Sequence, residues 1–283
     1  MDINSIFEIK TSTQFNNMAL DVFNFQYDNN PIYQEFCGYL GKSGSNVTAV
    51  DEIPYLPIEF FKSKRVLTTN QKPKLVFESS GTTGQLTSKH YVIKPEIYEE
   101  SYLKTFEHFY GNIKDYCVLA LLPSYMEREG SSLIYMVKDL IDKSENPKSG
   151  FYLNNKVELT KSLQSIDESG CKTILIGVSY ALLDFAENHS MNLRNTIIME
   201  TGGMKGRRIE LVRDELHRIL KNSFGLNAIH SEYGMTELLS QAYSKANGIF
   251  NCTPWMSVSI RETDDPMSTE PYGKIGGINI IDL

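Results

Sequence analysis

Apolar positions in this chain change period repeatedly, so that short apolar runs alternate with longer segments carrying a helical stripe. Helical spacing is predicted near the start over residues 14–24 and 31–41. Runs and stripes then follow one another: strand 74–79, helix 95–110, strand 115–122, helix 131–142, strand 149–153, helix 156–168, strand 171–178, helix 179–189, strand 195–200 and helix 206–222. The run from Tyr116 to Leu122 reads as a fully buried strand. Leu133, Ile134, Met136, Val137, Leu140 and Ile141 fall at helical spacing after it, first of all as core, with Met136 as a soft gap-filler. Such alternation predicts an α/β fold with mostly parallel sheets flanked by helices. From Gln241 onward the helical period fades, leaving β-like runs at Trp255 to Ile260 and Ile275 to Ile281. We therefore expect an α/β body over residues 1–240 and a small β-rich subdomain over 241–283. Pro54, Pro57, Pro73 and Pro254 punctuate the joints, and no internal repeat or low-complexity segment is evident.

Composition narrows the function class. With 283 residues, 41% hydrophobic and 22% charged, the chain buries a large core. It has no stretch near the ~18–20 apolar residues of a membrane span, and Met1-Asp2-Ile3-Asn4 lacks a basic start and an apolar signal core. A cytoplasmic location is the expectation. A net charge of −7 argues against nucleic acid as the main partner, because phosphate backbones demand a basic face. The exception is Lys205-Gly206-Arg207-Arg208, expected to open a helix running to Lys221. That cluster reads as a solvated face before it reads as an acidic-protein dock or a phosphate contact. Four cysteines, Cys37, Cys117, Cys171 and Cys252, lie far apart without C-x-x-C spacing, so neither zinc nor a disulfide framework is indicated. Cys117 and Cys171 are expected inside buried strands.

The chemistry concentrates in two motifs. Directly after Leu75-Val76-Phe77 comes Ser79-Ser80-Gly81-Thr82-Thr83-Gly84, a strand ending in a loop sized for phosphate. Its glycines permit backbone turns that a Cβ forbids, and its hydroxyls and N–H groups suit phosphate oxygens. The plain alternative is a polar turn. A Walker-A loop is excluded, since Gln85 follows Gly84 and the first lysine is Lys89. The second motif is Tyr233-Gly234-Met235-Thr236-Glu237, after an apolar stretch from Leu226 to Ile229. Taken alone, Tyr233 is open to a core reading and Glu237 to capping a helix that begins near Thr236.

In this order the two motifs resemble the adenylate-forming superfamily. Further strings narrow the branch: Phe77-Glu78 before the loop, Ser88-Lys89-His90 after it, Leu122-Pro123-Ser124-Tyr125 through Glu129-Gly130-Ser131-Ser132, and Thr201-Gly202-Gly203-Met204-Lys205-Gly206. Over residues 50–283 the chain is similar to the acyl-protein synthetase (LuxE-type) branch, with phenylacetate-CoA ligases as the neighbouring branch. The resemblance implies the large N-terminal body of such an enzyme and a two-step reaction. A carboxylic acid, expected to be a fatty acid, attacks ATP to give acyl-adenylate and pyrophosphate, and the acyl group then passes to a thiol.

By the same resemblance, Ser79, Ser80, Gly81, Thr82, Thr83 and Gly84 hold the β- and γ-phosphates, with Lys89 adding positive charge. Tyr233 and Gly234 lie along adenine, Ser231 addresses the adenine amine, Thr236 touches the α-phosphate and Glu237 binds Mg²⁺. Gly202 and Gly203 let backbone pass close to adenine and the acyl carbonyl. Ser124, Tyr125 and Gly130 are candidates for the mouth of the acyl pocket, and His90 for a supporting position behind the site. The thiol acceptor is expected to be an acyl-carrier or reductase-type protein, or CoA. Cys252, in a less regular segment, is the cysteine of this chain to test as an acyl acceptor. The end of the chain, Gly273 to Leu283, resembles the β-rich stretch that precedes the family's ribose-binding aspartate and hinge, so the C-terminal lid is expected to be absent and Asp282 takes no ribose role. A non-catalytic nucleotide- or acyl-binding protein is the reading from a different class.

Overall fold

The computed structural model describes residues 3–80, 86–123, 130–203, 208–265, 267–271 and 273–283. The helices are α1 (Ser12–Asn29), α2 (Pro31–Tyr39), α3 (Phe60–Ser63), α4 (Pro95–Tyr110), α5 (Ser132–Ser144), α6 (Lys156–Glu168), α7 (Ser179–Asn188) and α8 (Arg213–Phe224). The strands are β1 (Leu75–Glu78), β2 (Lys89–Val92), β3 (Cys117–Leu121), β4 (Gly150–Phe151), β5 (Thr173–Val178), β6 (Thr196–Thr201), β7 (His230–Tyr233), β8 (Ala242–Ser244), β9 (Asn251–Cys252), β10 (Met256–Arg261) and β11 (Gly277–Asp282). No helix among the described residues is long and apolar enough to cross a membrane.

The chain divides into two compact units. One comprises residues 1–101, 235–240 and 252–283; the other comprises 102–234 and 241–251. The division expected near residue 240 therefore meets a more interleaved pattern, in which the chain changes unit within the second motif, between Gly234 and Met235.

In the second unit the main sheet has the order β4-β3-β5-β6-β7-β8-β9. Strands β4, β3, β5, β6 and β7 run parallel and β8 pairs antiparallel with β7. Every residue of β3 and β5 is buried, which explains why, Thr173 apart, their sequences lack polar residues. Helix α5 packs against β3, and α7 against β5 and β6. Met136 on α5 is buried core. Asp167, near the end of α6, is a buried carboxylate that accepts hydrogen bonds from the Arg194 and Asn195 N–H groups and the Thr196 hydroxyl, fixing the entry to β6.

In the first unit, Thr11 and Gln14 form a reciprocal capping box that starts α1, and Asn30 caps α2 with Pro31 in its first turn. Phe7 stands edge-on to Trp255, with ring centroids 5.2 Å apart, beside Ile6, Phe15 and Ala19. Strands β10 and β11 pair antiparallel, as the β-like runs near the end predict.

Three expectations need correction. The phosphate-type loop does not leave the parallel sheet: β1 and β2 form a separate antiparallel pair, and the loop is the connection between them. The helix expected over 206–222 begins at Arg213, because Val212 is extended and Ile209 and Val212 point to solvent. Arg208 instead pairs with Asp184 and Glu187 on α7, so its charge is already matched. Cys171 lies outside β5 and is half-buried, whereas Cys117 is buried in β3 as expected.

Candidate functional site

The parallel strands of the second unit end level with one another. Val178 of β5 is paired with Thr201 of β6, and Thr201 with Glu232 of β7. Parallel strands deliver their following loops to one edge, the edge at which α/β sheets bind ligands. Ser179, Gly202-Gly203 and Tyr233-Gly234 emerge there in a row. Gly202 and Gly203 have φ of 56° and 41°, in the region that L side chains rarely adopt. A Cβ on Gly203 would meet no atom within 4 Å, so the turn leaves open space beside its backbone.

Beneath this edge lie two buried carboxyl groups with opposite tendencies. Glu200 accepts from the Ser179 hydroxyl at 3.2 Å and from Arg213 Nε at 3.3 Å, with His217 Nε2 at 3.5 Å. Burial alone pushes Glu200 up, but His217, Ser231 and Arg213 outweigh it and hold the group below the ordinary carboxylate value. Ser231 is fully buried opposite Glu200 in the β6–β7 pairing, and its hydroxyl has no hydrogen-bond partner among the described residues. Glu232 receives a hydrogen bond from the Thr201 hydroxyl at 2.5 Å. Burial raises Glu232 to about 7 against that bond, and the nearby Glu200 charge adds to the rise. The Thr201–Glu232 bond ties the strand end before Gly202-Gly203 to the strand end before Tyr233-Gly234.

Tyr233 is half-buried rather than core, and its ring stands edge-on to Phe250 at 6.0 Å. The Arg213 guanidinium lies over Phe250 at 5.0 Å, so an aromatic and cationic group borders the tyrosine. Gly234 is exposed.

The first unit holds the other predicted residues. Ser79 clasps the base of its loop: its N–H donates to the Ser88 carbonyl at 3.1 Å, and its hydroxyl accepts from the Ser88 N–H at 2.9 Å. Ser80 is exposed. Lys89 faces Glu78 across the hairpin at 3.2 Å, so its charge is matched there. His90 Nδ1 lies 3.0 Å from the carbonyl oxygen of Thr236, and burial lowers its pKa against that bond and the Glu237 charge. Thr236 and Glu237 are half-buried on a turn closed by the Leu238 N–H and the Met235 carbonyl at 3.2 Å. No helix follows, so Glu237 is not a helix cap. Asp282 accepts from the N–H groups of Leu239 and Ser240, a structural tie at the end of the same segment. Cys252 is half-buried, with its thiol pushed up by burial and by Asp282, which disfavours the thiolate an acyl acceptor needs.

Gly81, Thr82, Thr83, Gly84, Ser124 and Tyr125 lie outside the described residues, as do Lys205, Gly206 and Arg207 of the basic cluster. Gly130 is described, with φ of 83° just before Ser131, the N-cap of α5. Within the second unit, Gly202, Gly203, Ser231, Tyr233 and Gly234 come to one sheet edge; within the first, Ser79, Ser80, Lys89, Thr236 and Glu237 belong to the hairpin and the turn its histidine touches. Residues that the motifs did not single out are Glu200, Glu232, Arg213 and Phe250. Glu232 had a signal, a carboxylate inside a buried strand next to Tyr233; Phe250 had none. The half-buried Glu237 offers a hard carboxylate oxygen of the kind Mg²⁺ takes. The open space beside Gly203 and the half-buried Tyr233 likewise fit a flat nucleobase.

Known proteins match this chain in sequence and in fold. Residues 5–105 match the family described as acyl-protein synthetase, LuxE. A long-chain-fatty-acid–luciferin-component ligase of Photorhabdus luminescens is 37% identical over 68 residues, 24% of this chain and 58% of that protein. In fold, 2-hydroxyisobutyryl-CoA ligase in complex with an adenylate superimposes with a TM-score of 0.63 at 9% identity, over 95% of this chain and 58% of that one. McyG A-PCP complexed with phenylalanyl-adenylate gives 0.50 at 15% identity, over 88% of this chain and 46% of that one. The chain thus spans about half to three fifths of the length of these proteins. Over residues 5–105 the chain is thus similar to the acyl-protein synthetase, LuxE, family, and its fold is similar to that of solved proteins complexed with adenylates.

Proposed function

We propose that this chain is the nucleotide-binding body of an AMP-forming acid–thiol ligase, which activates a carboxylic acid with ATP and passes the acyl group to a protein or carrier thiol. The observation that carries this reading is the row of strand ends, where Gly202-Gly203, with open space beside Gly203 among the described residues, and the half-buried Tyr233 follow paired positions of the parallel sheet. Tyr233 and Gly234 take adenine, with Gly202 and Gly203 passing close to base and acyl carbonyl. Ser231, buried opposite Glu200 with its hydroxyl unpartnered among the described residues, addresses the adenine amine. Ser79 clasps the phosphate loop, and Ser80, Gly81, Thr82, Thr83 and Gly84 offer hydroxyls and N–H groups to the β- and γ-phosphates. Thr236 touches the α-phosphate. Glu237 holds Mg²⁺, which when bound neutralises charge on the triphosphate. Lys89 reaches phosphate only by leaving Glu78.

In the first half-reaction a substrate carboxylate oxygen forms a bond to the α-phosphorus as the bond to pyrophosphate breaks. No general base is needed, because a carboxylic acid is ionised near pH 7. In the second, a thiolate forms the thioester and AMP leaves. Ser124, Tyr125 and Gly130 are our candidates for the mouth of the acyl pocket, and a fatty acid is the substrate class that the Photorhabdus relative's name favours. A cytoplasmic site of action accords with these reactants. The similarity in fold to a CoA ligase keeps CoA as the alternative acceptor, the phenylacetate-type reading.

The test is thermal stabilisation of the 283-residue chain by stable acyl-sulfamoyl-adenosine mimics with alkyl chains of several lengths and an arylacetyl group. Binding at a hundredfold over Kd adds about 2.7 kcal/mol. Stabilisation that grows with alkyl length and weakens in Tyr233→Ala supports the reading; no shift with any mimic refutes it. Pyrophosphate exchange lost in Glu237→Gln excludes a non-catalytic binding protein, and thioester formed with added CoA favours the CoA-ligase branch.

A further inference from the structure

The loop hairpin and the Thr236-Glu237 turn are joined by one side chain. We propose that His90 is a positioning residue, whose Nδ1–H donated to the Thr236 carbonyl holds the turn in the place from which Glu237 meets Mg²⁺-nucleotide. The inference rests on the adenylation reading above. Segment 235–240 is tied by Asp282 at Leu239 and Ser240, by Ser101 at Ser240 and by His90 at Thr236. The ties at Leu239 and Ser240 lie beyond Glu237, whereas that of His90 lies directly beside it. A backbone carbonyl only accepts, so Nδ1 must carry the hydrogen. Phe61 of α3 stands edge-on to the imidazole, with centroids 5.9 Å apart and planes at 79°, and so limits rotation of the ring.

The position of His90 in the hairpin gives the contact its consequence. It is paired with Phe77 of β1, the strand that feeds the phosphate-type loop, and lies two residues after Ser88, whose backbone clasps Ser79. The strand that closes the loop therefore carries the ring that holds the turn. A displacement of the turn moves the Glu237 carboxylate relative to whatever the loop grips. Groups that orient a metal ligand from behind cost about 10- to 100-fold in metal affinity or activity when removed.

The experiment uses the full chain. Long-range ¹H–¹⁵N spectra of its five histidines, with the His90 signals identified by their loss in His90→Asn, are expected to show Nδ1 protonated and Nε2 bare. Binding of a fluorescent ATP analogue is then measured with Mg²⁺ and with EDTA. In His90→Leu the Mg²⁺-dependent gain in affinity is expected to fall about 10-fold, with affinity in EDTA unchanged. His90→Asn places an amide N–H where Nδ1 stood and restores binding to within about 2-fold, whereas His90→Gln reaches toward Nε2 and does not. Because Asn and Gln differ little in polarity, the contrast between them survives any general loss of stability in the Leu variant. An Nε2–H tautomer, or equal binding by the Asn and Gln variants, overturns the proposal. Wild-type protein that binds the analogue and a Leu variant that binds it equally defeats the positioning role alone; a wild-type chain that binds neither form defeats the adenylation reading and this inference together.

Discussion

Replacing Glu232 by Gln should change how stability depends on pH, by an amount that the burial of this carboxyl sets. In the folded protein the group is held at about 7, against an ordinary value of 4.5. The raised value means that Glu232 contributes stability that is complete below pH 4.5 and is lost as pH rises through about 7. Between those limits the unfolded chain ionises the side chain while the folded chain keeps its proton. At 1.36 kcal/mol per pH unit, the interval amounts to about 3 kcal/mol. Gln keeps the shape and an oxygen for the Thr201 hydroxyl but never ionises. Relative to wild type, the variant should therefore gain about 3 kcal/mol between pH 4.5 and 8, or about 5 °C in Tm for a chain of 283 residues. Thermal melts of both proteins at half-unit pH steps measure the difference. A difference that stays flat from pH 4.5 to 8 refutes the reasoning, since Glu232 would then be ionised alike in both states.

Ser79→Ala removes the acceptor for the Ser88 N–H and should cost about 1 kcal/mol in urea unfolding, whereas Ser80→Ala at an exposed site should change stability by less than about 0.5 kcal/mol. Gly177→Ala would set a Cβ 2.9 Å from Leu121 Cβ and Leu182 Cγ, where β5 meets its neighbours, and should lower stability by about 1–3 kcal/mol by the same assay. Asp167→Asn turns an amide N–H toward the Arg194 backbone N–H, which can only donate, and should cost about 1–3 kcal/mol, seen in urea unfolding and as faster hydrogen exchange at Arg194 and Asn195.

The alternation of the second unit was legible because strands buried on both faces need apolar residues throughout, as in Cys117–Leu121 and Thr173–Val178. Helix ends were less so. Ile209 and Val212 have helical spacing with the residues after them, yet they lie exposed in extended chain while Arg208 reaches to α7. The motifs named residue types that suit nucleotide chemistry, but not what each side chain already does. That Ser79 closes a loop and Ser231 comes opposite Glu200 depends on register, which is not a property of composition. Glu232 was hidden for a related reason: its partner Thr201 lies on another strand, and only the β6–β7 pairing brings them together. His90, a lone histidine in a short strand, gave no sign that a carbonyl far along the chain would receive its proton.

The division of the second motif has a consequence for recombination. Tyr233-Gly234 belong to one unit and Met235-Thr236-Glu237 to the other, and the chain changes unit four times in all, after residues 101, 234, 240 and 251. A chimaera made at a single crossover thus always joins a unit of one parent to a fragment of the same unit from another. Exchanging residues 1–101 transplants the hairpin with His90 but leaves behind the carbonyl that His90 addresses. Shuffled libraries of this family should therefore yield working chains only when 1–101, 235–240 and 252–283 travel together, so that the inheritable module is discontinuous in the gene.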